Sequence, residues 1–186
     1  MELIPALKIG WMNGWTLLVA FYAVFGLLIF AFPQNVVERL YDRSGWGDKI
    51  RRVNKAAKLV AVLLFLLIFL SPLKARTGAF VPGITFYLLG FLLMIIALVN
   101  YRRTPTDEPV VKGAYQFSRN PQWVALIAVV LGVALTIGSW IALLLVLILT
   151  TLGHFRILAE EEACLDQYGE SYQTYMKKFP RYLLFF

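Results

Sequence analysis

Residues 110–123 combine polar and aromatic side chains directly before a predicted apolar helix, in the order V-V-K-G-A-Y-Q-F-S-R-N-P-Q-W. Pro121 suits the first turn of that helix, where its missing N–H would have no partner in any case. Arg119 then lies at the N-terminal end of the helix. There the helix dipole and the guanidinium together favour an anionic group such as a carboxylate or a phosphate. An arginine that snorkels to lipid headgroups is the simpler interpretation of the same residue.

Three consecutive glutamates, Glu160, Glu161 and Glu162, follow the last apolar stretch. Because successive helical residues are about 100° apart, the three carboxylates cannot share one face, and at least one can point into a helical bundle. A carboxylate turned inward near a bilayer is costly and usually functional, with a cationic side chain or an ammonium group as its expected partner. Arg156, one turn before Glu160, offers that residue an ordinary ion pair instead.

The two segments together resemble a known family. The pattern G-x-Y-x-x-x-R-[HN]-P-x-[YW], an apolar hairpin, and then E-E-x-x-x-x-x-x-[FY]-G-x-x-Y-x-x-Y ending near P-R is similar to integral-membrane methyltransferases of the isoprenylcysteine carboxyl methyltransferase and phospholipid methyltransferase superfamily. The resemblance covers residues 110–182. It implies an S-adenosylmethionine pocket closed by the hairpin and the tail, with the arginine and the next residue in the site and the paired glutamates at the cofactor's amino acid end.

Transferred position by position, the resemblance implies that Arg119, Asn120 and Glu161 are catalytic. At two positions the sequence differs from the isoprenylcysteine branch: Asn120 replaces its histidine, and Trp123 replaces its usual tyrosine. The resemblance therefore does not imply that this chain acts on the substrate of that branch. The implied cofactor-binding residues are Gly113, Tyr115, Arg119, Pro121, Glu160, Glu161, Tyr172 and Arg181.

The lone histidine, His154, is a further candidate for the cofactor site. It lies near the end of the last predicted span, where it could act as a general base. A hydrogen bond to another helix is the simpler interpretation. No cluster of metal-ligating residues accompanies it, so the sequence predicts no metal site.

The elements that must position these residues are long apolar helices. Hydrophobic residues make up 60% of the 186 residues and charged residues 16%, against roughly 45–50% and about 25% in soluble domains. The charges are bunched between uncharged runs, which is typical of a polytopic, all-α transmembrane bundle. We expect one membrane domain over residues 1–186, with N-terminal spans in 1–101 and the cofactor-binding loop, hairpin and tail in 102–186.

Three of five predicted spans lie in the N-terminal part, at residues 11–33, 59–73 and 80–101. The linker at 34–58 predicts one or two amphipathic helices in the interface, broken near Ser44 and Gly45.

The other two spans come from residues 123–155. One helix of that length would exceed a bilayer of about 30 Å, so we predict two short spans joined at Gly138. The proline-rich residues 102–122 before them predict an ordered loop or a re-entrant element, and the charged tail 156–186 should begin as a helix.

The distribution of basic residues predicts an orientation. With five spans, residues 34–58, 102–119 and 156–181 face one side and hold 15 of the 18 lysines and arginines. The positive-inside rule places that side in the cytoplasm, together with the C-terminus and the site, and leaves the N-terminus outside. The net charge of +7 is then explained by loops at anionic headgroups, and nucleic acid is not an expected partner.

The sequence therefore predicts an integral-membrane methyltransferase that uses S-adenosylmethionine and acts on a lipophilic or small thiol acceptor. Two alternatives stay open. One is a membrane reductase of related fold that uses NADPH, against which the short chain argues. The other is a non-catalytic lipid-binding membrane protein.

The orientation can be tested by cysteine labelling in intact cells, in a variant that lacks Cys164. A membrane-impermeant reagent should label a cysteine at Thr77, on the predicted outer side, and fail at Ser171 in the predicted cytoplasmic tail. The reverse pattern would contradict the orientation and the access of the site to cytoplasmic cofactor.

Overall fold

The computed structural model describes residues 1–43 and 46–183. The described residues form seven α-helices and one short 3-10 turn, Gly113–Gln116, with no strand, which confirms the all-α class. The predicted break near Ser44 and Gly45 lies outside the described residues. The helices are α1 Trp15–Phe30, α2 Gln34–Tyr41, α3 Asp48–Leu70, α4 Phe80–Arg103, α5 Pro121–Thr136, α6 Trp140–Tyr168 and α7 Glu170–Lys178.

Three helices of the described chain are long and apolar enough to cross a membrane: α3, α4 and α6. The apolar helices α1 and α5 have 16 residues each, whereas a crossing of about 30 Å takes about 20 residues at about 1.5 Å per residue. The chain is therefore an integral membrane protein, and the count of five spans stays a prediction.

Two helix boundaries differ from those predicted, because no residue breaks the helix there. α3 begins at Asp48 and runs through Lys58 into the apolar stretch, so the second half of the predicted linker is the start of a long membrane helix. α6 likewise continues past Phe155 to Tyr168, so the second arm of the hairpin is not short. Both charged extensions lack glycine and proline and are rich in good helix formers.

The predicted turn at Gly138 joins α5 to α6, with a φ of +65° that glycine adopts readily. The N-terminal residues close this end of the bundle. The Glu2 backbone N–H donates to the Gly138 carbonyl (2.8 Å) and the Trp140 N–H donates to the Glu2 carbonyl (2.9 Å). The Glu2 carboxylate also lies 2.7 Å from the Lys74 ammonium. These contacts hold the N-terminal residues against the turn between α5 and α6.

α4 and α5 form the most extensive helix pair, and glycines let their backbones meet. A Cβ atom on Gly132 would lie 2.5 Å from the Tyr87 backbone nitrogen, and one on Gly90 would lie 2.7 Å from the Ala125 carbonyl oxygen. In lipid, no hydrophobic effect drives two helices together. Close approach of the two backbones stabilises the pair instead, because it increases the van der Waals contact between them. This pair fixes the start of α5, and with it Arg119, against α4.

Gly132→Ala should lower the thermal stability of the purified protein, because the added methyl group overpacks the α4–α5 contact. We expect a loss of about 1–3 kcal/mol, measured as a lower Tm in detergent. Gly26→Ala in α1 is the matched control, since nothing lies within 4 Å of its Cβ position. Equal Tm values for the two variants would contradict the packing described.

Candidate active site

A cleft of about 870 Å³ lies at the end of the bundle opposite the sealed turn, between α2, the loop before α5, the second half of α6, and α7. Small-molecule sites commonly enclose about 300–1,000 Å³. Polar side chains and aromatic rings line the cleft together, so it can hold a ligand that carries both charge and a flat ring.

Arg119 lies on the floor of this cleft, with its side chain 3% exposed. Its guanidinium forms a fork with Glu161, from Nε to Oε1 (3.0 Å) and from Nη2 to Oε2 (3.3 Å). Nη1 donates to the backbone carbonyls of Met176 (2.7 Å) and Phe179 (3.0 Å). The Arg119 backbone N–H donates to the Pro180 carbonyl (2.9 Å). Bidentate arginine–carboxylate pairs are among the strongest side-chain contacts, so this residue joins α5, α6 and the tail.

Glu161 accepts two further hydrogen bonds and is 4% exposed. Asn120 Nδ2 donates to Oε1 (3.2 Å) and Arg181 Nε donates to Oε2 (2.9 Å). A buried carboxylate is very costly unless it is paired and hydrogen-bonded. Here the partners of the inward carboxylate all come from the chain itself.

Glu160 lines the cleft and is more accessible, with its side chain 42% exposed. It makes the ordinary ion pair with Arg156 that the spacing allows, at 3.2 Å. Arg156 also lies over the ring of Trp123, 5.3 Å from its centroid. Both side chains are partly buried, and Arg156 Nε, which is buried, makes no hydrogen bond. This pair is therefore held by fewer contacts than the Arg119–Glu161 pair, and both charges can exchange partners. Glu162 is exposed to solvent.

Tyr115, Tyr172 and Tyr175 form a buried aromatic wall of the cleft. The Tyr175 hydroxyl donates to the Tyr115 carbonyl (2.6 Å), and Gln122 Nε2 donates to the Tyr115 hydroxyl (2.9 Å). Burial raises the pKa of all three tyrosines. They therefore stay neutral at physiological pH and present rings and hydroxyl groups, without charge.

Most of the residues singled out in the sequence line the cleft, and three do not. Gly113, His154 and Arg181 are absent from the lining. Those that do line it are Tyr115, Arg119, Asn120, Pro121, Glu160, Glu161 and Tyr172.

Gly113 and His154 have structural surroundings of their own. A Cβ atom on Gly113 would lie 2.3 Å from Asn100 Oδ1, which accepts a hydrogen bond from the Ala114 N–H at 2.9 Å, so the glycine lets the loop pack on α4. His154 Nδ1 shares a hydrogen bond of 2.9 Å with the Tyr182 hydroxyl of the tail. The partner therefore lies in the tail, and not in another helix as the simpler interpretation of the histidine expected.

Sequence reasoning missed Arg39 of α2, which also lines the cleft. Its guanidinium carbon lies 4.4 Å from the ring centroid of Tyr101 and it donates to the Pro105 carbonyl (2.7 Å). In the sequence it counted only as one of several interfacial cations. Nothing local in an amphipathic helix signals a partner more than sixty residues away.

Comparison with known proteins agrees with the motifs. The pattern that defines the family of phospholipid methyltransferases matches residues 80–171, from the start of α4 to the start of α7. This segment supplies the loop, the helical hairpin and the glutamates of the cleft. No curated protein and no solved structure matches the chain significantly. The resemblance to the isoprenylcysteine and phospholipid methyltransferase superfamily is thus confirmed. Residues 80–171, just under half of the chain, are thus similar to the phospholipid methyltransferase family.

Proposed function

We propose that the protein transfers a methyl group from S-adenosylmethionine to a lipophilic or small thiol acceptor reached from the bilayer. The match of residues 80–171 to the phospholipid methyltransferase family supports methyl transfer in a membrane. The observation that carries the proposal is that the family segment itself supplies most of the cleft. It brings the Arg119–Glu161 pair, an accessible Glu160 and several aromatic rings to one place.

The residues of the cleft fit the chemistry of this cofactor. S-adenosylmethionine presents a sulfonium and an ammonium, a carboxylate, and an adenine ring. Glu160 can meet a cationic group, and Arg156 can meet the carboxylate once it leaves Glu160. The rings of Trp123, Tyr115 and Tyr172 can hold the sulfonium or the adenine. The volume of about 870 Å³ leaves space for part of an acceptor as well.

When bound, the cofactor supplies an electrophilic methyl group on a positively charged sulfur. The chain then has to align the acceptor with that methyl group and exclude water. Neutral tyrosines surround the cleft without adding a competing charge. We propose that Arg119, Asn120 and Glu161 are essential to transfer, since they hold the floor of the cleft together.

The position in the membrane is part of the same proposal. We expect α1 and α5 to cross together with α3, α4 and α6, which gives five spans, an outer N-terminus and a cytoplasmic C-terminus. Residues 1–186 then act as one membrane domain, in which 102–186 bind the cofactor from the cytoplasm. The excess of basic residues on that side supports this arrangement.

S-adenosylhomocysteine should stabilise the purified protein in a concentration-dependent way, because a ligand that binds only the folded state shifts the unfolding equilibrium. A concentration of 100 times Kd contributes about 2.7 kcal/mol. Tm is measured in detergent with S-adenosylhomocysteine or NADPH. A shift with NADPH alone would favour the reductase alternative, and no shift with either ligand at millimolar concentration would favour a non-catalytic lipid-binding protein.

Arg119→Lys and Glu161→Gln should each abolish transfer while the protein still unfolds cooperatively. Lysine keeps the charge of Arg119 but loses the planar fork to Glu161. Glu162→Gln is the matched control, with a mild effect, because Glu162 is solvent-exposed. Turnover is measured with radiolabelled methyl donor. Near-normal turnover in Arg119→Lys, or equal losses at Glu161 and Glu162, would contradict the proposed role.

A further inference from the structure

We propose that Arg119, Glu161 and Arg181 form a tail latch, which fixes residues 176–181 against the start of α5 and so holds the aromatic wall of the cleft in place. These three residues then maintain the shape of the cleft and do not act by direct contact with a ligand. The proposal of the latch rests on contacts within the chain. Its effect on cofactor affinity rests on the proposed function.

Nearly all of the hydrogen-bonding capacity of Arg119 and Glu161 is used by partners within the chain. A guanidinium has five N–H donors, and four of those on Arg119 are engaged, two with Glu161 and two with the carbonyls of Met176 and Phe179. A carboxylate has about four lone-pair sites. Glu161 receives four hydrogen bonds, from Arg119, Asn120 and Arg181. Glu161 therefore cannot bind a cofactor cation without giving up a partner, and Arg119 has one N–H donor left.

Residues 118–120 bind the backbone of the tail at several points. The carbonyl of Pro180 accepts from the Arg119 N–H (2.9 Å). The carbonyl of Arg181 accepts from Ser118 Oγ (3.0 Å) and from Asn120 Nδ2 (3.4 Å). Carbonyls beyond the end of a helix have no helical partner. Residues 118–120 supply those partners, so the tail has a defined path across the start of α5.

α7 and the tail that follows it connect the latch to the aromatic wall of the cleft. α7 carries Tyr172 and Tyr175, which are buried and line the cleft, and the tail that follows it is held by Arg119. Among the described residues, the only other side-chain hydrogen bond between α7 and the loop before α5 runs from Tyr175 to the Tyr115 carbonyl. If the tail is released, α7 keeps only that bond and the packing of its tyrosines, so the wall can move.

The adjacent glutamates therefore have different tasks. Glu161 is buried on the face that meets Arg119 and Arg181. Glu160 lies about 100° around the helix, where it lines the cleft in an accessible pair with Arg156. Glu160 is thus the carboxylate available to a cationic ligand, and Glu161 is a positioning residue.

Hydrogen exchange on the purified full chain, without ligand, tests the latch directly. In Glu161→Gln and Arg181→Gln, the amides of residues 170–181 should exchange at least about tenfold faster, because the tail opens locally. The amides of α4 should be unchanged. Glu160→Gln is the matched control and should leave the tail protected. Native protection of the tail in both latch variants, or equal loss in Glu160→Gln, would overturn the proposal.

Arg181→Gln also separates positioning from direct contact, and it is the milder variant if Glu161→Gln does not fold. Arg181 does not line the cleft, so its effect on the cofactor must pass through the tail. We expect KM for S-adenosylmethionine to rise about tenfold, with kcat within about twofold at saturation. Saturating S-adenosylhomocysteine should restore tail protection, because it binds the closed state. An unchanged KM together with a loosened tail would overturn the link to the cleft.

The two proposals fail differently. If the native protein binds no S-adenosylhomocysteine, the proposed function is wrong, and ligand-free exchange still decides whether the latch exists. If the native protein binds the ligand and the variants keep a protected tail, the latch is wrong and the methyltransferase proposal stands.

Discussion

The buried ion pair between Arg119 and Glu161 is the interaction on which the cleft depends. Each ion loses several kcal/mol of hydration when it is buried, and only good geometry with further hydrogen bonds offsets that cost. The pair meets this condition because it brings three distant segments together: the start of α5, the second half of α6 and the tail after α7. Loss of one partner of such a pair typically costs about 3–5 kcal/mol, since the other charge stays buried. The ion pair at the floor of the cleft therefore also holds the segments of the C-terminal half together.

Much of the fold could be predicted from the sequence, because long apolar runs and a glycine at the turn are local signals. Gly138 marks the hairpin for that reason. A helix at the start of the tail was also predicted, and α6 contains it. That residues 48–58 and 156–168 continue the membrane helices without a break was not predicted, since charged residues with high helix propensity extend a helix without any change in backbone geometry. Composition indicates which residues are apolar enough to lie in lipid, but it does not indicate the residue at which a helix begins or ends.

The candidate site was harder to predict from the sequence than the fold. Helical periodicity shows that the glutamates of 160–162 must diverge, but which one turns inward depends on how α6 is rotated against α5, and that rotation is set by packing. The motif named Arg119 and Glu161 without showing that they bind each other. Arg39 carried no signal, because its partners at Tyr101 and Pro105 are brought near only by the fold.

The seal between the N-terminus and the hairpin turn has a consequence for the order of assembly. Glu2 pairs with the backbone of Gly138 and Trp140, so its partners are synthesised more than 130 residues later. At about 5–20 residues per second, that interval is on the order of ten seconds. During it the contacts of Glu2 stay unmade, while α3 and α4 are already synthesised. Glu2 and its neighbours are thus among the last of the described residues to reach their native contacts.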